Sequence, residues 1–275
     1  MAQNPLQQYF RQPKIFISLP SKGIYNKPGT IDGDVNRLPV FGMTGMDEIL
    51  LKTPDALISG ESTVKVINSC CPAIVDPWDV CLLDVDLILA SIRIATFGNQ
   101  LNVSNVCSMC STPNDYSLDL NRLIEHYTSC HYDNEIVVEN LKITIRPLNY
   151  NQSTDFSFRN FQVQQKSRQV DALADEAAKK QAANDVISEL ASLRNAVFAA
   201  GIESIDTGTS VVTERAFIEE WIANVDSSVV HQIRKHIEHN QATWTPPNHD
   251  VTCEGCGHID NVRIDLDQSN FFVNA

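Results

Sequence analysis

Apolar residues recur at helical spacing along much of the chain. Apolar residues dominate the stretch from Asp84 to Phe97 and leave little polar surface, which predicts a buried helix capped at its carboxyl end by Gly98. Capping residues and apolar stripes predict further helices that begin at Thr44, Thr53, Ser62, Asp119, Thr213 and Asp226. The pattern is therefore mainly that of a helical body.

Alternating apolar and polar residues predict strands in only a few places. Ile136–Val138 and Leu141–Ile145 flank Glu139-Asn140, a pattern typical of a β-hairpin. Residues 1–40 contain turn residues and one short extended run, so we expect an extended segment there. Together these patterns predict an α+β fold.

Residues 153–205 differ from the rest in composition. They contain no proline, and residues 164–185 are dominated by strong helix formers with few apolar anchors. One helix of roughly fifty residues would reach about 70 Å, so we predict a long helix whose first half projects, packs thinly or is ordered by a partner. The apolar stripe that begins at Val186 predicts that the second half docks. Both a solvated connector and a protein-binding arm fit this pattern.

These features divide the chain into four segments. Residues 1–40 form the extended amino-terminal segment, and residues 41–150 form a helical body. The long helical excursion covers residues 151–205, and residues 206–275 contain the carboxyl-terminal helices. One Cys-x-x-Cys motif lies in the second segment and another in the fourth, and we expect the second motif to close onto the first.

The two Cys-x-x-Cys motifs are Cys107/Cys110 and Cys253/Cys256. A two-residue spacer lets both thiolates of a tight turn reach one ion, and four thiolates complete the shell of a structural zinc site. Strand-like residues follow each motif, which is typical of a zinc ribbon. The sequence therefore predicts a structural Zn²⁺ bound by these four cysteines.

The surroundings of the two motifs also repeat. Cys253 follows Cys107 by 146 residues, and the same offset separates Asp119 from Asp265 and Leu120 from Leu266. This repeat predicts two equivalent halves of one β element.

Disulfide and redox roles for the motifs remain alternatives. A redox Cys-x-x-Cys motif normally opens a helix, whereas strand patterns follow here. Eight cysteines in 275 residues is a low density, and no secretory signal precedes them. The remaining cysteines, Cys70, Cys71, Cys81 and Cys130, are predicted to pack in the core, with Cys130-His131 as the best outside source of a replacement ligand.

The formal net charge is −13, and the basic residues are scattered. Neutralising phosphates requires clustered Lys and Arg, so this charge argues against a nucleic-acid partner. No apolar run reaches the roughly 18 residues of a membrane span. These features predict a soluble protein of a reducing compartment.

Several short segments together resemble a known family. They are Leu19–Tyr25, Met43–Leu50, Pro54–Gly60, Asp76–Trp78, Asp86, Ile92-Arg93, Gly98 and the first Cys-x-x-Cys motif. This ordered set resembles the baseplate hub proteins of T4-like contractile-tailed bacteriophages, densely over about residues 15–145 and more loosely beyond. One departure is Gly45, where the family pattern leads us to expect alanine.

The resemblance implies a late virion-assembly protein that is a hub subunit or a hub-assembly factor. Its partners would be other baseplate hub and tail proteins. Its location would be the virion tail baseplate, and the host cytoplasm during assembly.

Enzymatic function is not predicted. Four thiolates leave a zinc ion no open position for water, and the sequence has neither a phosphate-binding glycine loop nor a Gly-x-Ser-x-Gly motif. Two other function classes stay open as alternatives. One is a zinc-ribbon module that binds nucleic acid or assists transcription, and the other is a peptidoglycan hydrolase of the tail tip.

Overall fold

The computed structural model describes residues 4–52, 59–171 and 175–263. The chain forms two compact units: unit 1 contains residues 1–131 and 244–275, and unit 2 contains residues 132–243. The described residues hold eight α-helices and ten short strands, which confirms a mainly helical α+β fold. The finer division into four segments remains a prediction. The predicted helix start at Thr53 and the repeat residues Asp265 and Leu266 lie outside the described residues.

Unit 1 begins with a pair of antiparallel strands, β1 (Pro13–Ile17) and β2 (Leu38–Phe41). The sequence reading of residues 1–40 as only extended chain missed this pairing. Leu38 and Val40 are fully buried and alternate with half-buried residues. That alternation is the signal for β2, but it is too short to stand out from the surrounding turn residues.

Unit 1 also contains four α-helices among its described residues. They are α1 (Gly45–Leu51), α2 (Glu61–Cys70), α3 (Leu82–Phe97) and α4 (Asn121–Ser129). The predicted cap of α1 is confirmed, because the Thr44 side chain accepts from the Asp47 N–H and the Asp47 carboxylate accepts from the Thr44 N–H. Helix α3 is buried as predicted, and Gly98 follows it with a φ of 90°.

A hairpin lies between α3 and α4 in sequence. Strands β3 (Gln100–Val106) and β4 (Pro113–Asp119) pair antiparallel over their whole length. The turn that joins them contains Cys107 and Cys110.

Unit 2 is built on a four-stranded antiparallel sheet. Its strands are β5 (Glu135–Val138), β6 (Leu141–Ile145), β7 (Ile202–Asp206) and β8 (Val211–Val212), in that spatial order. The predicted hairpin at residues 136–145 is thus confirmed as β5–β6. Branched apolar residues of the sheet and of the later helices form the core, namely Val138, Ile143, Ile145, Ile202, Ile205, Ile218, Ile222, Val229 and Ile233.

The region predicted as one long helix is instead two helices, α5 (Tyr150–Asp171) and α6 (Glu176–Ala200). Asp175 adopts an extended backbone, and its side chain accepts from the Ala177 N–H as the N-cap of α6. Lys166 on α5 reaches both carboxylate oxygens of Glu189 on α6 at 2.8 Å. The single projecting helix is therefore not confirmed.

Two further helices, α7 (Arg215–Asn224) and α8 (Ser227–Trp244), precede the last hairpin. As predicted, Asp226 caps α8 by accepting from the Ser228 N–H at 2.8 Å. Strands β9 (His249–Thr252) and β10 (Ile259–Val262) then pair antiparallel in unit 1. Across the described ranges, no helix is both long enough and apolar enough to span a membrane.

Candidate metal centre

The first Cys-x-x-Cys motif forms a tight turn between β3 and β4, which we call knuckle 1 (residues 107–112). The Cys107 N–H donates to the Thr112 carbonyl at 2.9 Å, and the Ser111 N–H donates to the Cys107 carbonyl at 3.0 Å. Ser111 has a φ of 58°, in the left-handed region. This backbone turns both thiols to the same side.

The second motif forms knuckle 2 (residues 253–258) between β9 and β10, with the same backbone bonds. The Cys253 N–H donates to the His258 carbonyl at 2.8 Å, and the Gly257 N–H donates to the Cys253 carbonyl at 2.9 Å. Gly257 has a φ of 74°. Each of these residues lies 146 positions after its counterpart in knuckle 1, so the described part of the sequence repeat is a structural repeat.

The two knuckles bring the four predicted ligands together. The Sγ atoms of Cys107 and Cys256 lie 3.7 Å apart, and those of Cys110 and Cys253 lie 3.6 Å apart. All four Sγ atoms lie within 4.8 Å of one another. A tetrahedral ion with metal–sulfur bonds of about 2.3 Å would place its sulfurs about 3.8 Å apart, whereas a disulfide requires about 2.05 Å. The cluster therefore fits a metal ion, and all four thiols are free.

Hydrogen bonds lower the pKa of two of the four thiols. The hydroxyl and N–H of Thr112 are the main groups that lower the pKa of Cys110, to about 6. Burial alone would raise the pKa of Cys253, but the N–H groups of Cys256 and Gly255 and the Asn114 amide outweigh it, so this pKa is lowered.

The pKa of each of the other two thiols is raised. The N–H of His258 acts to lower the pKa of Cys256, but the hydrogen bond with Cys110 and burial raise it to about 12. The N–H of Cys110 likewise acts to lower the pKa of Cys107, yet burial and the Cys110 thiol leave it raised. Cysteine binds a metal as the thiolate, so a cation bound here would displace the remaining thiol protons.

Two buried polar side chains support the cysteines, and the sequence analysis missed both. Asn114 donates to the Thr112 carbonyl at 2.8 Å and to the Cys253 Sγ at 3.4 Å. Asp260 accepts from the Ser108 hydroxyl at 2.6 Å. Asn114 and Asp260 are also 146 residues apart, so extending the repeat beyond the motifs could have identified them.

The remaining cysteines lie outside this cluster. Cys70, Cys71 and Cys81 are buried, which confirms their predicted core packing, and Cys130 is half-buried beside His126. Within the ranges that the structure describes, the four-cysteine group is the one set of three or more candidate ligand side chains close enough to hold a single ion.

Comparison with known protein families gives a match over most of the chain. The family model described as "T4 bacteriophage base plate protein" matches residues 43–273, a span that contains both knuckles and all of unit 2. No curated protein and no solved structure matches the chain significantly. Because the family model covers well over half of the sequence, the chain belongs to the T4 bacteriophage base plate protein family.

Proposed function

We propose that this protein is a non-enzymatic subunit or assembly factor of the hub in a contractile phage tail baseplate, and that it holds one structural Zn²⁺. The family match over residues 43–273 carries the proposal. That match makes the chain a phage baseplate protein. The assignment to the hub, rather than to another part of the baseplate, is supported by the resemblance of residues 15–145.

Residues of that resemblance have specific structural roles in unit 1. Ser21 donates its N–H to the buried carboxylate of Asp84 at 2.9 Å, Thr44 caps α1, and Asp76 accepts from the Trp78 N–H at 3.2 Å. Each residue holds a turn or a helix start that packing alone would not define. The shared motif set thus supports a shared scaffold.

The zinc part of the proposal rests on the donor set and its spacing. Four sulfur donors at near-tetrahedral separations favour Zn²⁺ or an iron centre over hard cations such as Mg²⁺. Zinc needs no redox role, and a closed four-thiolate shell leaves no position for a water nucleophile. The ion would therefore stabilise the fold of unit 1, and Cys107, Cys110, Cys253 and Cys256 would hold it.

The expected partners are other hub and tail proteins, in the virion baseplate and in the host cytoplasm during assembly. A net charge of −13 opposes binding to the phosphate backbone of nucleic acids. Binding to another protein does not require clustered Lys and Arg.

The hub assignment is tested by deleting the gene from the phage and supplying it from a plasmid. We expect the deletion to arrest tail assembly before a complete hub forms, and the plasmid copy to restore tails. Cryo-EM of hub intermediates and of mature tails then separates the two roles, because a subunit persists in mature tails and an assembly factor does not. Normal, infectious tails without the gene would refute the proposal.

The metal assignment is tested by elemental analysis of the purified protein. We expect one zinc per chain in the wild type and in the control variant Cys130→Ser, and a loss of zinc in Cys107→Ser and Cys253→Ser. One iron per chain in place of zinc would support the four-cysteine site but change the identity of its ion. Retention of full zinc by both ligand variants would refute the four-cysteine site.

A further inference from the structure

We propose that Asn114 and Asp260 are a matched pair of positioning residues that join the two knuckles through hydrogen bonds before any metal binds. This role deepens the proposed metal site and rests on it. Each side chain leaves the strand that follows its own knuckle and contacts the backbone of the other knuckle.

The contacts of the pair are reciprocal. The Asn114 Oδ1 accepts from the Glu254 N–H at 3.0 Å, and the Asp260 carboxylate accepts from the Ser108 N–H at 3.3 Å. Ser108 and Glu254 are the first spacer residues of their motifs, and they too are 146 positions apart. The two halves therefore exchange the same bond in both directions, as expected for elements related by an approximate twofold axis.

Burial strengthens these hydrogen bonds between the two knuckles. Asn114 is 6% exposed and Asp260 is 9% exposed, so water competes little for their polar atoms. Asn114 is also fixed to its own knuckle through the Thr112 carbonyl, and Asp260 receives a second bond from the Ser108 hydroxyl at 2.6 Å. None of these bonds involves a metal, so the knuckles can be held together in its absence.

The benefit for metal binding comes from the separation of the ligands in sequence. Cys110 and Cys253 are separated by 143 positions, with all of unit 2 between them. Closing so long a loop costs conformational entropy, and a metal that had to close it would bind more weakly. If side chains close this loop before the metal binds, binding requires only small movements of the four sulfurs.

The pair differs chemically at one point. The Asn114 amide has a proton to donate to the Cys253 Sγ at 3.4 Å, which stabilises sulfur in its charged form. A carboxylate has no such proton, and Asp260 instead bonds to Ser108, the residue next to Cys107. An amide at position 260 would keep the bond from the Ser108 N–H and replace one carboxylate oxygen with a donor beside the cysteine cluster.

The test measures zinc affinity by competition with a chromogenic chelator. We expect Asn114→Ala and Asp260→Ala to weaken zinc binding by about 10- to 100-fold, the usual effect of losing a residue that supports a metal ligand. The control is Asp115→Ala, which removes a carboxylate from β4 that bonds to Ser104 at 2.6 Å and, among the residues that the structure describes, makes no hydrogen bond to knuckle 2. We expect its affinity to stay within about twofold of the wild type.

Two substitutions of nearly equal shape sharpen the test. Asn114→Asp keeps the acceptor for the Glu254 N–H but loses the donor to Cys253, and we expect weaker binding. Asp260→Asn keeps its acceptor and gains a donor, and we expect binding at least as tight as in the wild type. A role in packing alone would not give opposite effects, so weaker binding by both variants would overturn the proposal.

Amide hydrogen exchange of the metal-free protein tests the hydrogen bonds between the knuckles directly. We expect the Ser108 and Glu254 amides to exchange slowly in the wild type. In Asn114→Ala, the Glu254 amide should exchange rapidly. Rapid exchange of both amides in the metal-free wild type would overturn the proposal. If the wild type bound no metal at all, only the proposed zinc site would fail, and the exchange measurement would still decide whether the knuckles are joined.

Discussion

Ser111 and Gly257 occupy the same position in the two knuckles, but only one of them suits it. Both have a positive φ, 58° for Ser111 and 74° for Gly257. A side chain costs about 1 kcal/mol or more in this region, whereas glycine adopts it freely. Knuckle 1 therefore contains a backbone strain that knuckle 2 avoids.

This difference predicts opposite effects of two exchanges. Ser111→Gly should raise the free energy of unfolding by about 0.5 kcal/mol, because the relieved strain exceeds the added freedom of the unfolded chain. Gly257→Ala should lower it by about 1 kcal/mol. A Cβ atom at Gly257 would meet no heavy atom within 4 Å, so the loss would report backbone strain alone. Urea unfolding of the metal-loaded protein measures both, and a destabilised Ser111→Gly variant would contradict the argument.

Asp84 is a fully buried carboxyl group in unit 1. It accepts from the N–H of Ser21 at 2.9 Å and from the Ser21 hydroxyl. Burial raises its pKa to about 6, and the two bonds from Ser21 only partly oppose this. The folded protein therefore holds a proton on Asp84 more tightly than the unfolded chain does.

The raised pKa of Asp84 predicts a pH-dependent stability difference. The protonated group favours the folded state, so its contribution is fully present below a pH near 3.8 and is lost as the pH rises through about 6. Relative to Asp84→Asn, the wild type should lose on the order of 2 kcal/mol of unfolding free energy between pH 4 and pH 7. Denaturant unfolding of both proteins across this range measures the difference, in which the other carboxyl groups cancel. A constant difference would contradict the predicted shift.

At the scale of elements, features set by residues a few positions apart were predicted well. The caps of α1 and α8, the buried helix α3 and the β5–β6 hairpin follow from residues a few positions apart. The break between α5 and α6 was missed because strong helix formers surround it. The support of the cysteines by Asn114 and Asp260 was missed because those bonds join residues 140 and 152 positions apart, and the sequence repeat had not been followed to these two positions.

Helices α5 and α6 each have a buried valine within an otherwise exposed stretch. Val163 is 2% exposed and Val186 is 8% exposed, whereas Phe161 on α5 is 49% exposed. A freely projecting helix would leave Val163 in water. The burial of these valines therefore distinguishes the observed helix pair from the single projecting helix that the sequence predicted.

This burial predicts a position-dependent effect on α5. Val163→Ala should lower the free energy of unfolding by about 2 kcal/mol through lost apolar burial and a small cavity. Phe161→Ala, two positions away, should change it by less than about 0.5 kcal/mol although it removes a larger side chain. Thermal and urea unfolding measure both, and an equal or larger loss at Phe161 would favour a projecting helix.

At the scale of the whole molecule, the four cysteines come from two separate stretches of unit 1. The chain leaves unit 1 after His131 and returns at Trp244, and the four cysteines lie on both sides of this insertion. The sequence repeat predicted that two distant segments would share one ion. It did not predict that residues 132–243 form a unit with a separate core, because unit boundaries follow from the packing of many residues rather than from a motif.

Metal removal should therefore affect the two units differently. The metal would contribute its binding free energy, on the order of several kcal/mol, only to the unit that provides the ligands. We expect a strong chelator to accelerate amide exchange in β3, β4, β9 and β10 of unit 1, while β6 and β7 of unit 2 keep their protection because their core contains none of the cysteines. Exchange followed by mass spectrometry before and after chelation, with zinc added back as the control, measures both regions in one sample. Unchanged exchange in β3 and β4 would mean that the ion does not stabilise unit 1, and equal acceleration in both sheets would mean that the two units unfold together.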